Sequence, residues 1–504
     1  MRGNFTPVTK IRRQVFEAVA RQAFESRGIS DIFKIPFNIL PGELPTYRES
    51  IFKERAIVSE RIRLAMGLPL RKISEQAPMT NGMEDPELEK KVYSMPFINV
   101  IPFACNACET THFRVTDSCQ GCLAHPCTSI CPVNAVTIVK GRSVIDREKC
   151  IKCGRCSESC PYGAIIKMER PCAAACGVDA IGSDEYGRAK IDEDKCVACG
   201  QCMVHCPFAA ISDKSQIYQL AKALMGDGEV VAEIAPSFVG QFGPAATPQK
   251  IKGALRKMGF RAVYEVAAGA DQVIVEEAEH YIHKVATGEQ PFLATSCCPS
   301  WSVMAKREFP QLEEYLSQSL TPMVATARLI KKERPNAKVC FIGPCAAKKL
   351  EAMRRSVRSD VDFVITFEEL MGMFAAKDIE FGEVEEEPID DASAGGRGFA
   401  VAGGVASSVV DAIHEMDPSV EVKTDRAEGL KNCKKMLLLA KAGKRNGYLL
   451  EGMCCYGGCV AGAGTVSPIP KAAGEVKKFM DAASVKSAVV KIRETGKSMP
   501  AEIS

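Results

Sequence analysis

Hydrophobic and polar positions change rhythm along the chain. Residues 1–100 place apolar side chains at helical spacing between Pro-containing turns (ILPGELPTY, GLPLRK), which predicts a helical region whose role the pattern does not disclose. Its opening stretch, MRGNFTPVTKIRRQVFEAVARQAF, is basic and helix-patterned and reads as an ordinary surface helix rather than a targeting segment. Residues 216–504 alternate β-branched runs with helix-period segments, the pattern of an α/β domain. Residues 230–234, 339–342 and 361–365 are expected to be buried strands, and the acidic stretch 380–390 a solvated loop. Between the two regions, at 101–215, cysteine dominates.

Composition narrows the classes. The 504 residues suffice for about three domains. An apolar share of 46% and a charged share of 25% exclude a disordered chain. A net charge of +3, from 65 basic and 62 acidic side chains, gives no electrostatic case for a nucleic-acid partner. No apolar run is long enough to predict a membrane span, and no secretory core opens the sequence, so a cytoplasmic protein is expected. Its 24 cysteines are then expected to serve metals rather than disulfides.

Sixteen of those cysteines lie between Cys105 and Cys206. Residues 141–165 and 187–211 match at 13 of 25 positions, and each carries C-x2-C-x2-C-x3-C-P. That is the signature of bacterial ferredoxins, in which three close thiolates hold one [4Fe–4S] cubane and the fourth reaches the other cluster of a pair. Each repeat therefore needs a partner half. Cys119, Cys122, Cys127 and Cys131 supply one immediately upstream. The second repeat has only Cys172 and Cys176 nearby, and its missing head is most economically Cys105 and Cys108. The reading is a nested pair of ferredoxin-like units, the inner at about 109–168 and the outer at 101–108 plus 169–215. Cross-ligation then groups Cys119, Cys122, Cys127 with Cys160, and Cys150, Cys153, Cys156 with Cys131. The outer unit groups Cys105, Cys108, Cys172 with Cys206, and Cys196, Cys199, Cys202 with Cys176. Sixteen thiolates make four cubanes with none left over. Gly177 stands where the other tails have Pro. His112, His125 and His205 lie near these cysteines, which already suffice as ligands.

The other cysteines concentrate beside Pro or Gly in TSCCPSW (295–301), GPCAAKKLE (343–351) and EGMCCYGGCVAGAG (451–464). Such residues permit tight turns and close approach of backbone to a bulky group. Cys455 and Cys459 are four apart and would share a helix face, while Cys298 and Cys345 could converge from distant loops. Adjacent cysteines point different ways, so one of Cys297/Cys298 and one of Cys454/Cys455 is expected to be a ligand. Cys340 and Cys433 belong to no such segment and read as buried structural thiols.

These three segments, in this order, resemble the signature motifs of the [FeFe]-hydrogenases, and the similarity runs across about 216–500. The variant residues suggest the branch called group B. The resemblance implies an H-cluster: a [4Fe–4S] cubane joined by one cysteine to a diiron unit bearing CO, cyanide and a dithiolate. By motif position Cys298, Cys345, Cys455 and Cys459 would hold the cubane, with Cys459 bridging. Cys297 matches a proton-relay thiol and Lys348 a lysine donating to one cyanide. Pro236 and Ser237 match the loop around the other. Met453 and Phe399 match residues that keep the site dry. Glu277 and Ser317 fall on the family's proton path, whose outer acidic position aligns with His280 and a further basic one with Lys284. Gly343 and Cys454 depart from the common motif residues, Met and Ala. The implied fold is ferredoxin-like α+β modules feeding a two-lobed α/β catalytic domain. The implied activity is reversible reduction of protons to H2, with a ferredoxin, flavodoxin or other redox protein as electron partner and diiron maturation enzymes required. A slow-turnover hydrogen sensor and an Fe–S carrier or scaffold lacking the diiron unit are the alternatives.

Overall fold

A computed structural model describes residues 5–26, 28–90 and 93–495. The first long helix, Pro7–Phe24, starts where its sequence says it should. Pro7 occupies the first helical position, and the Thr6 hydroxyl accepts the Thr9 N–H at 3.3 Å. It is more than a surface helix, which corrects that expectation. Ile11, Val15, Phe16, Val19 and Ala23 are buried, packed against the helix Phe367–Ala376. Gly372 makes the approach possible, since a Cβ there would lie 2.6 Å from Phe16 Cβ. Arg12 pairs with Glu368 at 2.5 Å and Arg21 with Asp378 at 2.9 Å.

The cysteine block is built from short antiparallel pairs. Strand β1 (Ile98–Val100) pairs with β8 (Ile211–Asp213), and β2 (His112–Val115) with β5 (Ile165–Met168). Hairpins join β3 (Val136–Val139) to β4 (Arg142–Ile145) and β6 (Ile181–Ser183) to β7 (Ala189–Ile191). The β2/β5 pair thus lies, along the chain, inside the β1/β8 pair. Four one-turn helices, Pro126–Ser129, Arg155–Glu158, Pro171–Ala174 and Gln201–His205, each carry one cysteine of the block.

The remainder is mixed α/β. A parallel sheet of order β10-β9-β12-β13 comprises β9 (Val230–Ile234), β10 (Ala262–Glu265), β12 (Lys338–Gly343) and β13 (Phe363–Thr366). A second parallel sheet, β11-β15-β14, comprises β11 (Phe292–Ala294), β14 (Lys423–Glu428) and β15 (Tyr448–Met453). All five residues of β9 are buried, as a parallel strand covered on both faces requires. The third expected strand starts two residues late, at Phe363. Asp362 stands at its edge, where its N–H donates to Val339 O (2.9 Å) and its carboxylate accepts the Val339 N–H (2.8 Å) and Lys331 Nζ (2.9 Å). Residues 380–390 carry no regular element.

Candidate functional site

Local backbone form repeats around the sixteen cysteines. In each C-x-x-C head the residue before the second cysteine is left-handed: Ala107 (φ 45°), Gly121 (59°), Lys152 (60°) and Ala198 (51°). Each tail cysteine is followed three residues on by another: Asn134 (52°), Gly163 (59°), Asp179 (50°) and Ala209 (48°). Non-glycine residues rarely take this conformation. Here it accompanies backbone donors aimed at sulfur. Ala135 N–H donates to Cys131 and Ala180 N–H to Cys176, both at 3.2 Å, and Ala210 N–H donates to Cys206 at 3.4 Å. The fragments at 105–108 and 172–179 therefore share the backbone of the complete repeats. Gly177 replaces proline for a packing reason: a Cβ there would sit 2.6 Å from Leu430 Cβ.

Thiols gather in four groups. Cys119, Cys122, Cys127 and Cys160 line one small cavity. Burial, then facing Cys150 and Cys131, raises the Cys156 pKa. Burial, then Cys206 and Cys105, pushes Cys172 to about 11, and the same two thiols face Cys108. Cys202 is raised well above its usual value by burial and by Cys199, Cys196 and Cys176. Among the described residues no three His, Cys, Asp or Glu side chains close on a single-ion site. His125 lines the first cavity, His112 Nδ1 bonds Thr110 O and His205 Nδ1 bonds Gln201 O, each at 2.8 Å.

A further cavity opens where strands of both parallel sheets end, the usual position for a ligand in such sheets. Pro236 and Ser237 follow β9, Cys297 and Cys298 follow β11, Cys345 and Lys348 follow β12, and Met453 closes β15. Cys455, Cys459 and Phe399 complete this part of the wall. Cys455 and Cys459 do not share a helix, which corrects that expectation. Gly457 (φ 102°) and Gly458 (φ 81°) turn the chain between them, and a single 3-10 turn, Gly458–Ala461, follows. A side chain at Gly458 would obstruct the backbone at Ala402, whose nitrogen is 2.5 Å from the position of a Cβ.

Electrostatics suit a metal cluster and a proton carrier side by side. Burial, then the neighbouring thiols, pushes Cys298 to about 11 and Cys459 to about 12 and holds Cys345 well above its usual value. Lys348 remains a cation: burial pulls its pKa down, but Glu351 outweighs that. Its Nζ donates to Glu351 Oε2 at 2.6 Å and to Thr321 Oγ1 at 3.1 Å. The Ser237 hydroxyl is buried, lines the cavity and has no partner among the described residues, so a polar group bound there would satisfy it. The cysteine set, the lysine and this hydroxyl fit a cluster that carries polar ligands of its own.

Glu277 and Ser317 stand behind that wall. Glu277 is 1% exposed, and burial raises its pKa from 4.5 to about 7. Ser317 lies close enough to moderate the shift, but neither carboxylate oxygen has a partner in hydrogen-bond geometry. Cys297 is raised well above its usual value by burial and by facing Glu277, which brings the two together. His280, on the same helix as Glu277 (Val266–His280), bonds Gln290 Oε1 at 2.8 Å, and Lys284 pairs with Glu289. Cys340 and Cys433 are fully buried outside the cavity.

Several wall residues carry no sequence signal of their own. Phe341 lines the cavity, and any side chain at Gly343 would collide with its ring, so the departure at 343 makes room for a phenylalanine two residues earlier. Cys199 of the cysteine block lines the same cavity, and Gln201 Nε2 donates to Cys455 Sγ at 3.2 Å. The buried Cys454 thiol lies beside Cys199 and Cys455, and that proximity, ahead of burial, holds its pKa well above the usual value.

Comparison with known proteins converges on one family. The profile described as "Iron only hydrogenase large subunit, C-terminal domain" matches residues 228–463, and a 4Fe-4S binding domain matches residues 143–166 and 189–212. The chain is 30% identical over 374 residues to the periplasmic [Fe] hydrogenase large subunit of Nitratidesulfovibrio vulgaris, covering 64% of this chain and 85% of that protein. It is 29% identical over 378 residues to iron hydrogenase 1 of Clostridium pasteurianum, spanning 65% of each chain. It is also 26% identical over 278 residues to a probable cytosolic Fe-S cluster assembly factor of Aedes aegypti, covering 45% of this chain and 58% of that protein. With these matches and an iron–sulfur cysteine set, the chain belongs to the iron-only hydrogenase family.

Proposed function

We propose that the chain is an enzyme interconverting two protons, two electrons and dihydrogen. The observation that carries this is one cavity uniting Cys298, Cys345, Cys455 and Cys459 with Cys297, Lys348, Ser237, Phe399 and Met453. The four thiolates would hold an H-cluster cubane, Cys459 would bridge to the diiron unit, and Lys348 and Ser237 would bond its polar ligands. When bound, the cluster supplies the site at which protons and electrons combine. Everything else is the work of side chains. Phe399, Met453, Pro236 and Pro322 exclude water. Cys297 gives up its thiol proton to the cavity and takes the next from Glu277. Glu277 titrates near neutrality, so it can both hold a proton and release it. Ser317 and then His280 lead toward solvent.

Electrons arrive through four [4Fe–4S] clusters in two nested ferredoxin-like units, cross-ligated as the thiol groups suggest, at 101–215. The outer unit adjoins the catalytic cavity through Cys199, and the inner unit is left for a ferredoxin, a flavodoxin or a similar carrier. Residues 216–504 form the two-lobed catalytic part, one lobe per parallel sheet. No helix among the described residues is long and apolar enough to cross a membrane, and the location proposed is the cytoplasm, whose reducing conditions suit so many thiols.

The resemblance to an assembly factor favours a second reading, an iron–sulfur carrier or scaffold. A carrier needs the four cysteines but has no use for a buried relay of Cys297 and Glu277 or for a buried lysine beside the cluster. A slow sensor would keep them. Infrared spectroscopy after expression with diiron maturation enzymes decides the first point. CO and cyanide bands that vanish in Cys459→Ser are expected. Their absence, with cubanes intact, would establish the carrier.

A further inference from the structure

Residues of the N-terminal region lie against one edge of the cysteine block, and two arginines reach across. Arg48 Nη2 donates to Ala104 O at 2.9 Å and to Phe208 O at 3.0 Å, with its guanidinium over the Phe208 ring. Arg61, on the helix Ile51–Ala65, is 6% exposed, and its Nη2 donates to Ala209 O. Among the described residues neither guanidinium forms an ion pair. The acids between them in sequence are engaged elsewhere: Glu49 with Lys53, Glu54 with the N–H groups of Thr46, Tyr47 and Arg48, and Glu60 with Arg71. The peptide joining Ala209 to Ala210 makes two bonds at once. Its carbonyl accepts from Arg61, and its N–H donates to Cys206 Sγ at 3.4 Å. Two other tails have the same donor, Ala135 to Cys131 and Ala180 to Cys176. Among the described residues no side chain is bonded to their matching carbonyls, Asn134 O and Asp179 O. Hydrogen bonds in series polarise one another, and a charged donor at the head strengthens the series.

We propose that Arg61 is a positioning residue for electron transfer. It polarises the 209–210 peptide toward Cys206 and so raises the reduction potential of the cluster that Cys206 shares with Cys105, Cys108 and Cys172. This rests on reading those four cysteines as ligands of one cluster. A guanidinium stays charged even when buried. A stronger donor to a ligand sulfur stabilises the extra negative charge of the reduced cluster, which raises its potential. A cluster held higher fills first, so one electron waits in the outer unit, beside the catalytic cavity, while the second arrives. Arg48 brings the same charge to the same edge without such a peptide. The N–H beyond Ala104 O belongs to Cys105 and donates to Ile101 O at 3.2 Å, and the N–H beyond Phe208 O belongs to Ala209 and donates to Cys206 O at 3.0 Å. Arg48 therefore separates the peptide relay from the mere proximity of a cation.

The test is a redox titration followed by EPR on the full chain, which needs only the cubanes and not the diiron unit. Cys206→Ser marks the signal that belongs to this cluster. In Arg61→Gln, which keeps a donor but loses the charge, that cluster is expected to become harder to reduce. About a tenfold change in its oxidised-to-reduced ratio at fixed potential is expected, equal to about 59 mV for one electron. Arg61→Lys, which keeps the charge, restores most of it. Arg48→Gln moves the same signal far less, and the cluster of Cys119 moves in none of the variants. Iron content checks that each variant holds its clusters, and Arg61→Met supplies a second neutral variant should Arg61→Gln lose them. An unchanged potential in the neutral Arg61 variants, or an equal fall in Arg48→Gln, would overturn the relay while leaving the hydrogenase reading intact. Signals unchanged in Cys206→Ser would overturn the ligand assignment, and with it the relay. Infrared bands report separately on the diiron unit, so their absence would not disturb the result.

Discussion

Glu277 is a carboxyl group kept where water cannot reach it, and two measurable consequences follow. Its pKa is raised to about 7 by burial, so the folded chain binds a proton that the unfolded chain has released above about pH 4.5. Stability on its account is fully present below that value and is lost as pH rises through about 7. Glu277→Gln is neutral in both states and removes that slope, which urea unfolding at a series of pH values reads directly. The same variant cannot carry a proton, so hydrogen evolution should fall by roughly 10²–10⁴-fold, with the infrared bands unchanged. A variant that kept full activity would take Glu277 out of the relay. Cys297→Ala should fall comparably, because its thiol is the group facing both Glu277 and the ligand thiols.

Between elements, small residues record contacts that the sequence conceals. Gly177 breaks the Cys-Pro pattern because Leu430, at the start of the helix Leu430–Lys441, occupies the space. Gly177→Ala should cost about 1–3 kcal/mol through overpacking, and it should cost less in a Leu430→Gly background, which lacks the colliding Cβ, a coupling that a double-mutant cycle measures. Additive losses would show that the two do not touch. The same logic explains what could be read in advance. The strand at 230–234 was legible because a buried parallel strand is a continuous apolar run, and the three motif segments were legible because cysteine beside Gly and Pro is rare. The helix expected at 455–459 was not, since spacing four fits any tight turn and the Gly457–Gly458 pair chose another. Phe341 was also hidden: only the structure reveals that its ring fills the place of a side chain at 343.

At the scale of the whole chain, the question is what fixes the cysteine block against the sheet that ends in the catalytic cavity, because electrons must cross that boundary. Helical spacing could not disclose it, since the partners are far apart in sequence. Lys349 is fully buried, and its Nζ donates to Asp213 Oδ2 at 2.7 Å, Lys214 O at 2.8 Å and Glu369 Oε1 at 2.8 Å, with the Tyr93 ring 5.6 Å away. Asp213 ends β8 of the cysteine block, Glu369 completes the capping box of the helix Phe367–Ala376, and Lys349 lies four residues after Cys345. Tyr93 adds a bond to Val364 O in β13 at 2.8 Å. One ammonium thus joins three separate parts of the chain immediately behind a candidate cluster ligand. Lys349→Met would leave two carboxylates buried without their cation, a loss of about 3–5 kcal/mol. Adding Asp213→Asn and Glu369→Gln removes the stranded charges and should return most of that stability. Electron transfer separates the structural effect from the functional one. If the clamp holds the cluster of Cys199 against the catalytic cavity, the triple variant folds, yet a reductant acting on the inner unit reduces the catalytic cubane more slowly. Rapid-freeze EPR follows that step, and an unchanged rate would assign Lys349 to folding alone.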